Sequence, residues 1–385
     1  MKTGLDVIIS RRGGILRGRK LGLLFHGASF SARCRQTPVE LSALGLDLKC
    51  LFGPQHGVYG ETQDNMIEWE GVRDRATGLP LYSLYGKSRK PAPETLSGID
   101  TLVIDLQDAG TRFYTYIWTM LLCMEACSRS GKKVVILDRP NPIGGIDIEG
   151  PVLEDGFRSF IGMAPIAVRH RLTIGELALY LADRAGIEKP EVVLMDGWNR
   201  RDYFEDTGLQ WGLPSPNMPS PLTALVYPGM GMIEGTNMSE GRGTTRPFEI
   251  AGAPYIEAER LAAELAAAGT PGAIFRPLRF QPAFDKWLGE LCGGVQLHVT
   301  DRAGFRPCLV AITLISAVRR LWPDRFEWRK PPFEYEEKLP PFDILAGTDS
   351  LRKSIEAGTP PAAIAAGWEK GCAAFKSASL PYLKY

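Results

Sequence analysis

The chain has 385 residues, of which 44% are hydrophobic and 23% are charged, and its formal net charge is +1 at pH 7. This length predicts more than one domain, and the even charge balance gives no basic surface of the kind that binds nucleic acid. No apolar run reaches the roughly 18–20 residues that span a bilayer. We therefore expect no nucleic-acid partner and no membrane partner. Because the N-terminus lacks the features of a signal peptide, we expect a cytoplasmic location for the chain as written, or a periplasmic or extracellular one if a leader was removed.

The first half of the chain alternates strand-like and helical segments. The clearest helical pattern covers residues 116–130, and a second helix is predicted to begin at a capping box formed by Thr173 and Glu176 and to end at Gly186. The apolar β-branched runs are 21–26, 47–52, 101–106, 133–138 and 191–196. This alternation predicts an α/β fold with a parallel sheet that helices cover on both faces.

Polar side chains gather where several of these strands end. The run that ends at Asp105 is followed by Asp108, Arg112 and Tyr114. Asp105 itself is predicted to be buried and structural. The same arrangement recurs in segments 20–26, 51–64 and 134–141. Because ligands bind at the carboxyl edge of open α/β sheets, the sequence predicts an enzyme cleft at this edge.

Cysteine and histidine usage does not indicate a metal site. Cys123 and Cys127 come closest to a ligand spacing, but no histidine lies near them in the sequence, and such a pair on a helix is typical of an apolar face. The glycine-rich stretch 229–243 does not follow an early strand and open a helix, as a dinucleotide-binding loop does. We expect neither a metal nor a cofactor.

The composition changes after residue 213. Residues 213–254 are dense in Gly, Pro, Ser, Thr and Asn, which predicts a long functional loop without a regular helix or a central strand. Beyond it we expect a helix at 256–269, strand-like runs within 274–315, and a proline-rich passage at 330–341. The candidate functional residues of the loop are Tyr227, Glu234, Asn237, Glu240 and Arg242.

Long motifs occur in order along nearly the whole chain. They are FGPQHGVYGE, LPLYSLYG, VIDLQDAGTRFYTY, LDRPNPIGG, IEGPVLE, WGLPSPNMP, YPGMGMIEGTNMSEGRGTTRPFEIAGAP and CGGVQLHVTD. As a set they resemble the exo-β-N-acetylmuramidase (NamZ) family. The resemblance implies a Rossmann-like domain, placed here at residues 1–250, packed on a smaller α+β domain at 251–385. It also implies release of β-1,4-linked N-acetylmuramic acid from the non-reducing end of peptidoglycan fragments, so the expected partner is a muropeptide or another peptidoglycan-derived saccharide.

Glycoside cleavage usually needs one carboxylic acid that protonates the leaving oxygen and a second carboxylate on the other face of the sugar. Glu61 and Asp64 lie in the loop after the second predicted strand, and Glu240 can present a carboxylate from the glycine-rich segment. We expect Glu61 or another of these carboxylates to be the general acid.

Two departures from the family pattern bear on this chemistry. The family frequently has PEHG where this chain has PQHG at residues 54–57, and Gln55 cannot donate a labile proton. Either another carboxylate is the acid, or activity on the usual substrate is weakened. Arg171 stands where a glycine commonly follows His170, and it is expected to narrow or recharge one side of the cleft. His56 is either catalytic or a turn histidine.

Candidate substrate contacts follow from the chemistry of muramic acid. Arg112 and Arg242 are expected to bind its lactyl carboxylate, because a guanidinium binds carboxylates bidentately. Tyr114 is either core or a platform under the pyranose ring. Arg139 either closes a strand in an ion pair with Asp138 or contacts substrate. The substrate-binding candidates are Asp108, Arg112, Tyr114, Arg139, Asn141, Asn217, Glu234, Asn237 and Arg242.

Two other functions remain open from the sequence. One is hydrolysis of a different small glycoside in the same cleft. The other is sugar binding by a catalytically impaired protein, which the glutamine at position 55 favours.

Overall fold

The computed structural model of the chain describes residues 1–63 and 67–385. The strands of these residues are β1 (Lys20–Phe25), β2 (Asp47–Gly53), β3 (Val72–Arg73), β4 (Pro80–Ser83), β5 (Thr101–Asp105), β6 (Lys133–Leu137), β7 (Glu149–Val152), β8 (Ala167–Arg169), β9 (Glu191–Val193), β10 (Ile250–Ala253), β11 (Ala273–Phe280) and β12 (Cys292–Val299). The helices are α1 (Gly4–Ser10), α2 (Thr37–Ala43), α3 (Pro93–Leu96), α4 (Tyr116–Arg129), α5 (Ile174–Ala185), α6 (Pro221–Met230), α7 (Ala258–Ala268), α8 (Pro307–Leu321), α9 (Pro341–Ala346), α10 (Ser350–Glu356), α11 (Pro361–Gly367) and α12 (Glu369–Ser379).

The largest sheet has the strand order β3-β4-β2-β1-β5-β6-β9. Its strands pair in parallel from β4 to β9, and only the short β3 runs antiparallel to its neighbour. All five strand-like runs of the sequence lie in this sheet. The prediction of an α/β fold with a mostly parallel sheet and a second, smaller domain is confirmed.

Both faces of the sheet are buried, which explains why the strands are apolar throughout. On β5, Leu102 and Ile104 pack with Trp118 of α4 on one face, whereas Val103 packs with Leu5 of α1 on the other. Successive side chains of a strand point to opposite faces, so a continuous apolar run supplies both cores. The core that contains Trp118 continues into the second domain.

The helices that flank the sheet begin and end close to the predicted positions. Helix α4 spans Tyr116–Arg129. Helix α5 begins with the predicted capping box, in which Thr173 accepts from the Glu176 backbone and the Glu176 carboxylate accepts from the Thr173 backbone, and it ends at Gly186 in the left-handed conformation. These local signals were sufficient because capping residues act within one turn of the helix they define.

The chain beyond residue 213 differs from the sequence prediction in two places. Segment 213–254 contains the ten-residue helix α6, although a helix was excluded there. Pro221 occupies the first turn, Ser220 caps it, and Pro228 lies near the C-terminal end. The run LVAITLI was predicted as a strand but lies in α8, a helix that is buried on most sides. Hydrophobic runs of fully buried helices and strands look alike in sequence.

The second domain contains an antiparallel sheet of order β10-β12-β11. Helix α6 packs on α8, and α7 packs on β11 and β12. The division at residue 250 stays a prediction. Over the described ranges, no helix combines the length and apolarity that a membrane crossing requires.

Candidate active site

A cavity opens where the loop after β2 and the segment after β5 meet the second domain. The residues around it are Gln55, His56, Phe113, Tyr114, Thr115, Tyr116, Ile161, Ser215, Asn217, Met218, Tyr227, Glu234, Arg242, Phe248, Phe333, Glu334 and Leu345. Seven predicted site residues are therefore brought together here: Gln55, His56, Tyr114, Asn217, Tyr227, Glu234 and Arg242.

Buried hydrogen bonds fix the segment that carries Ser215 and Asn217. His26, at the end of β1, accepts from the Gln107 backbone with Nε2, and its Nδ1 lies 3.0 Å from the Pro214 carbonyl. Burial lowers the pKa of His26 to about 4, so the ring is neutral and Nδ1 donates to the carbonyl. Asn217 donates from Nδ2 to the Gln63 carbonyl at 2.9 Å. The cavity wall is thus tied to the ends of the strands.

Gln55 is buried and holds two parts of the cavity together. Its Oε1 accepts from the Thr115 hydroxyl at 2.7 Å, and its Nε2 lies 3.4 Å from Oε1 of Glu334. The Thr115 hydroxyl donates to the amide oxygen of Gln55, so the amide nitrogen of Gln55 faces the Glu334 carboxylate. Gln55 therefore presents a fixed hydrogen-bond donor to Glu334.

Glu334 is a buried carboxyl group that sequence reasoning missed. It is 4% exposed, and its Oε2 accepts from the Tyr85 hydroxyl at 3.1 Å. Burial, assisted by the negative charge of Glu234, raises the pKa of Glu334 to about 7, although the hydrogen bonds from Tyr85 and Gln55 oppose this rise. A carboxyl group that titrates near neutral pH can act as a general acid.

The backbone around Glu334 is unusual. Glu334 and Tyr335 both have positive φ angles, 46° and 66°. Non-glycine residues in this conformation cost about 1–3 kcal/mol each and cluster at functional sites. The only sequence signal for this position is a glutamate between two aromatic residues in a proline-rich passage, which has no regular periodicity.

Arg242 lies at the centre of a buried charge cluster on the other side of the cavity. Its Nη2 is 3.0 Å from Glu234 Oε1, and its Nε is 3.2 Å from Glu240 Oε1. Lys286 Nζ lies 2.9 Å from Glu240 Oε2. Burial raises the pKa of Glu234, whereas the cations Lys286 and Arg242 overcome burial and lower the pKa of Glu240. Arg242 therefore joins two buried carboxylates.

Aromatic rings form one wall of the cavity. The ring of Tyr114 lies edge-on to the rings of Tyr116 and Tyr227, with centroid distances of 4.9 and 5.8 Å. The rings of Tyr227 and Phe248 are also edge-on, with their centroids 4.7 Å apart. Burial raises the pKa of Tyr114 and Tyr227, so these phenols remain neutral hydrogen-bonding groups. Such a wall combines apolar surface with polar tips, as sugar sites require.

Two family models cover almost the whole chain: the N-terminal domain of exo-beta-N-acetylmuramidase NamZ matches residues 21–222, and the C-terminal domain matches residues 225–385. The chain belongs to the exo-β-N-acetylmuramidase NamZ family. It is 42% identical over 388 residues to the peptidoglycan beta-N-acetylmuramidase NamZ of Bacillus subtilis (strain 168), covering 100% of this chain and 91% of that protein.

Two solved structures have the same fold. Both are DUF1343 family proteins from Bacteroides fragilis NCTC 9343. One has a TM-score of 0.90 at 37% identity, and the other a TM-score of 0.78 at 28% identity. Each alignment covers 100% of this chain and 98% of the other. The likeness therefore extends over both domains of the NamZ fold.

Several predicted substrate contacts of this NamZ family member are instead engaged within the protein. Arg112 is fully buried and donates to the carbonyls of Pro151, Ile166 and Leu345 at 2.7–2.9 Å. Its guanidinium does not line the cavity, so it is not placed to bind a lactyl carboxylate. Asp108 accepts from the Gly110 backbone at 2.8 Å and lies 3.1 Å from Nε2 of the buried His170.

Arg139, Asn141 and Asn237 also make internal contacts away from the cavity lining. Arg139 forms a two-pronged ion pair with Asp105, at 2.5 and 2.9 Å, and not with Asp138. Asn141 donates to two backbone carbonyls of the segment before α5. Asn237 accepts from the hydroxyl of Tyr255 at 2.8 Å. These arrangements are those of structural residues, and Asp105 is buried as expected.

The predicted catalytic carboxylates lie in different places. Glu61 is exposed, and its carboxylate accepts from the Tyr59 backbone at 3.3 Å without lining the cavity. Asp64 lies outside the described residues. Glu240 lies behind Arg242, held by both cations of the cluster.

Arg171 was expected to change one side of the cleft, but its guanidinium donates to the Lys376 carbonyl and to the Ser379 hydroxyl. It therefore anchors the end of α12 instead. Within the described part of the chain, no group of three or more His, Cys, Asp or Glu side chains is arranged to hold a metal ion.

Proposed function

We propose that this chain is a glycoside hydrolase that releases β-1,4-linked N-acetylmuramic acid from the non-reducing end of peptidoglycan fragments. Membership of the NamZ family supports this activity. The observation that carries the proposal is that one cavity holds a buried carboxyl group that titrates near neutral pH, Glu334, and a buried guanidinium, Arg242. Glu334 can donate a proton to the leaving glycosidic oxygen, and Arg242 can bind a sugar that carries a carboxylate.

Glu334 is the general acid in this proposal. Its proton moves to the glycosidic oxygen as the bond from that oxygen to the anomeric carbon breaks. A water molecule then adds to the anomeric carbon, and the proton that it loses returns to the Glu334 carboxylate. Because Gln55 and Tyr85 donate to Glu334, both also stabilise the carboxylate that remains after proton transfer. Gln55 thus supports the acid from the position where relatives frequently have a glutamate.

Arg242 is the receptor for the lactyl carboxylate. Arg242 pairs with Glu234 and Glu240 and also lines the cavity. A charge-assisted hydrogen bond from a buried guanidinium contributes about 1.5–3 kcal/mol. N-acetylglucosamine has no such carboxylate, so this contact selects muramic acid.

The aromatic wall of Tyr114 and Tyr227 supports the pyranose ring. Both rings line the cavity beside Arg242. An apolar face with phenolic tips can pack on the C–H groups of a sugar and bind its hydroxyls at the same time.

One observation favours a second function, that of a sugar-binding protein. The side chain of Gln55 faces the carboxyl group of Glu334. Because it is an amide, it cannot act as a general acid or base. If the reaction needs a second carboxylate at this position, the cavity binds muramic acid without turnover.

Digestion of a β-1,4-linked MurNAc–GlcNAc disaccharide, followed by mass spectrometry, tests the proposal. We expect free N-acetylmuramic acid and N-acetylglucosamine as products. Longer glycan strands should lose a single terminal N-acetylmuramic acid at a time. Binding of the disaccharide without any cleavage supports the second function.

A further inference from the structure

The cavity wall and the charged groups directly behind it contain more buried negative groups than positive ones. The carboxyl groups are Glu234, Glu240 and Glu334, and the cations are Arg242 and Lys286. Glu234, Glu240 and Glu334 are at most 4% exposed, Arg242 is 6% exposed and the Lys286 side chain is 14% exposed. Buried charges need partners, so one of the three carboxyl groups has no full countercharge.

The contacts of the three carboxyl groups indicate how easily each of them is protonated. Glu240 contacts both cations, at 3.2 Å from Arg242 and 2.9 Å from Lys286. Glu234 pairs with Arg242 at 3.0 Å. The hydrogen-bond donors to Glu334 are the neutral Gln55 and Tyr85. Glu334 is therefore the group that is easiest to protonate, and Glu234 is next.

The sugar that the proposed function assigns to this cavity brings a further negative charge. We propose that binding of its lactyl carboxylate beside Arg242 is coupled to uptake of a proton by Glu334 or Glu234, so that the anionic sugar itself keeps the general acid protonated. This inference rests on the proposed function. It adds that the carboxylate contributes to the chemical step as well as to recognition.

The raised pKa of Glu334 agrees with this coupling. Burial and the charge of Glu234 raise the pKa of Glu334 to about 7, so the free protein has lost a large part of this proton by pH 8. A second anion in the same buried space raises this pKa further. The ionisable groups that face Glu334 and Glu234 are Arg242, Glu240, Lys286, Tyr85 and Tyr227, and His56 lines the same cavity.

The coupling gives a second source of specificity. A neutral sugar such as N-acetylglucosamine leaves Glu334 partly ionised above pH 7, because it adds no negative charge beside the acid. An anionic sugar binds more weakly as the pH rises, because its binding requires uptake of a proton. The complexes that do form contain the general acid Glu334 in its protonated state. Specificity for muramic acid then comes from the protonation state of the acid as well as from Arg242.

Calorimetric titration of N-acetylmuramic acid into the protein at pH 8 tests the inference. The titration is run in phosphate and in Tris, whose ionisation enthalpies differ, so the difference in heat gives the number of protons taken up. We expect uptake approaching one proton per sugar bound, and no uptake with the lactyl methyl ester of N-acetylmuramic acid, which is neutral. Glu334→Gln should lower the uptake by at least half. Glu337→Gln, at an exposed position of the same segment, should leave it unchanged.

Two results overturn the inference in distinguishable ways. If N-acetylmuramic acid binds without proton uptake, the coupling is absent and the proposed function stands. If it does not bind at all, recognition of the lactyl carboxylate in this cavity fails and the coupling fails with it, whereas release of N-acetylmuramic acid from the disaccharide decides the proposed function separately. Retention of full uptake by both Glu334→Gln and Glu234→Gln, each folded as judged by its melting curve, also contradicts the coupling.

Discussion

The side-chain amide of Gln55 donates to the carboxylate of Glu334 at 3.4 Å, across 279 positions of sequence. The first residue follows β2 of the parallel sheet, and the second belongs to the proline-rich passage of the second domain. The contact brings a fixed donor from one domain to an acid from the other. The proposed mechanism therefore needs both domains in their observed arrangement.

Glu334→Gln removes the proposed general acid with little change in shape. We expect kcat to fall by about 10²–10⁴ on substrates with poor leaving groups, in line with typical contributions of general acids. The loss should shrink for activated aryl glycosides, because their leaving groups need little protonation. Steady-state kinetics on a disaccharide and on a nitrophenyl glycoside measure both effects.

Glu337→Gln and Glu61→Gln are the controls for this substitution. Both residues are exposed, and neither lines the cavity. Each variant should retain kcat within about a factor of two, since surface substitutions away from a site have small effects. A large loss in Glu61→Gln together with a silent Glu334→Gln would instead place the acid in the loop after β2.

Gln55→Glu is predicted to shift the pH dependence of activity to higher pH. The native amide hydrogen bond lowers the pKa of Glu334, whereas a carboxylate at position 55 removes this donor and adds a like charge. Both changes raise the pKa of the acid, so the alkaline limb of the kcat/KM profile should move upwards. A pH–rate profile from about pH 5 to pH 9 checks the sign. A limb that moves downwards would show that Glu334 is not the group that titrates.

Arg242→Lys keeps a positive charge in the cluster but removes the fork that binds a carboxylate. We expect kcat/KM for a β-N-acetylmuraminide to fall by roughly 10–100-fold, as for loss of a charge-assisted hydrogen bond. Affinity for N-acetylglucosamine should change much less. Arg246→Lys is a matched control, because its side chain is 54% exposed and pairs with Glu249. Equal losses for both sugars would contradict the role of Arg242.

Arg139 and Asp105 form a buried ion pair with side-chain exposures of 5% and 0%. Arg139→Met leaves the Asp105 carboxylate buried without its partner, which costs about 3–5 kcal/mol of the free energy of unfolding. Arg158→Met breaks an exposed pair with Asp155 and should cost less than about 1 kcal/mol. Urea denaturation measures both. If Arg139→Met keeps its stability but has a raised KM, Arg139 contacts the substrate after all.

The sheet could be predicted from the sequence because strands and caps are defined by local patterns. The sequence could assign Gln55 and Arg242 to the same candidate site because each lies in one of the long motifs that resemble the NamZ family. Glu334 could not, because its burial and its raised pKa come from contacts with Gln55 and Tyr85, which are distant in sequence. Arg112 was misplaced for the related reason that sequence does not show which way a side chain points after a strand ends.

The most direct test of the account compares p-nitrophenyl β-N-acetylmuraminide with the matching β-N-acetylglucosaminide. Arg242 lines the cavity, and only the muraminide offers it a carboxylate. We expect measurable release of nitrophenol from the muraminide, with kcat/KM at least about tenfold higher than for the glucosaminide, since one charge-assisted hydrogen bond is worth about 1.5–3 kcal/mol. Equal rates on the two substrates would contradict recognition by Arg242, and no hydrolysis of either would contradict the proposed glycosidase activity.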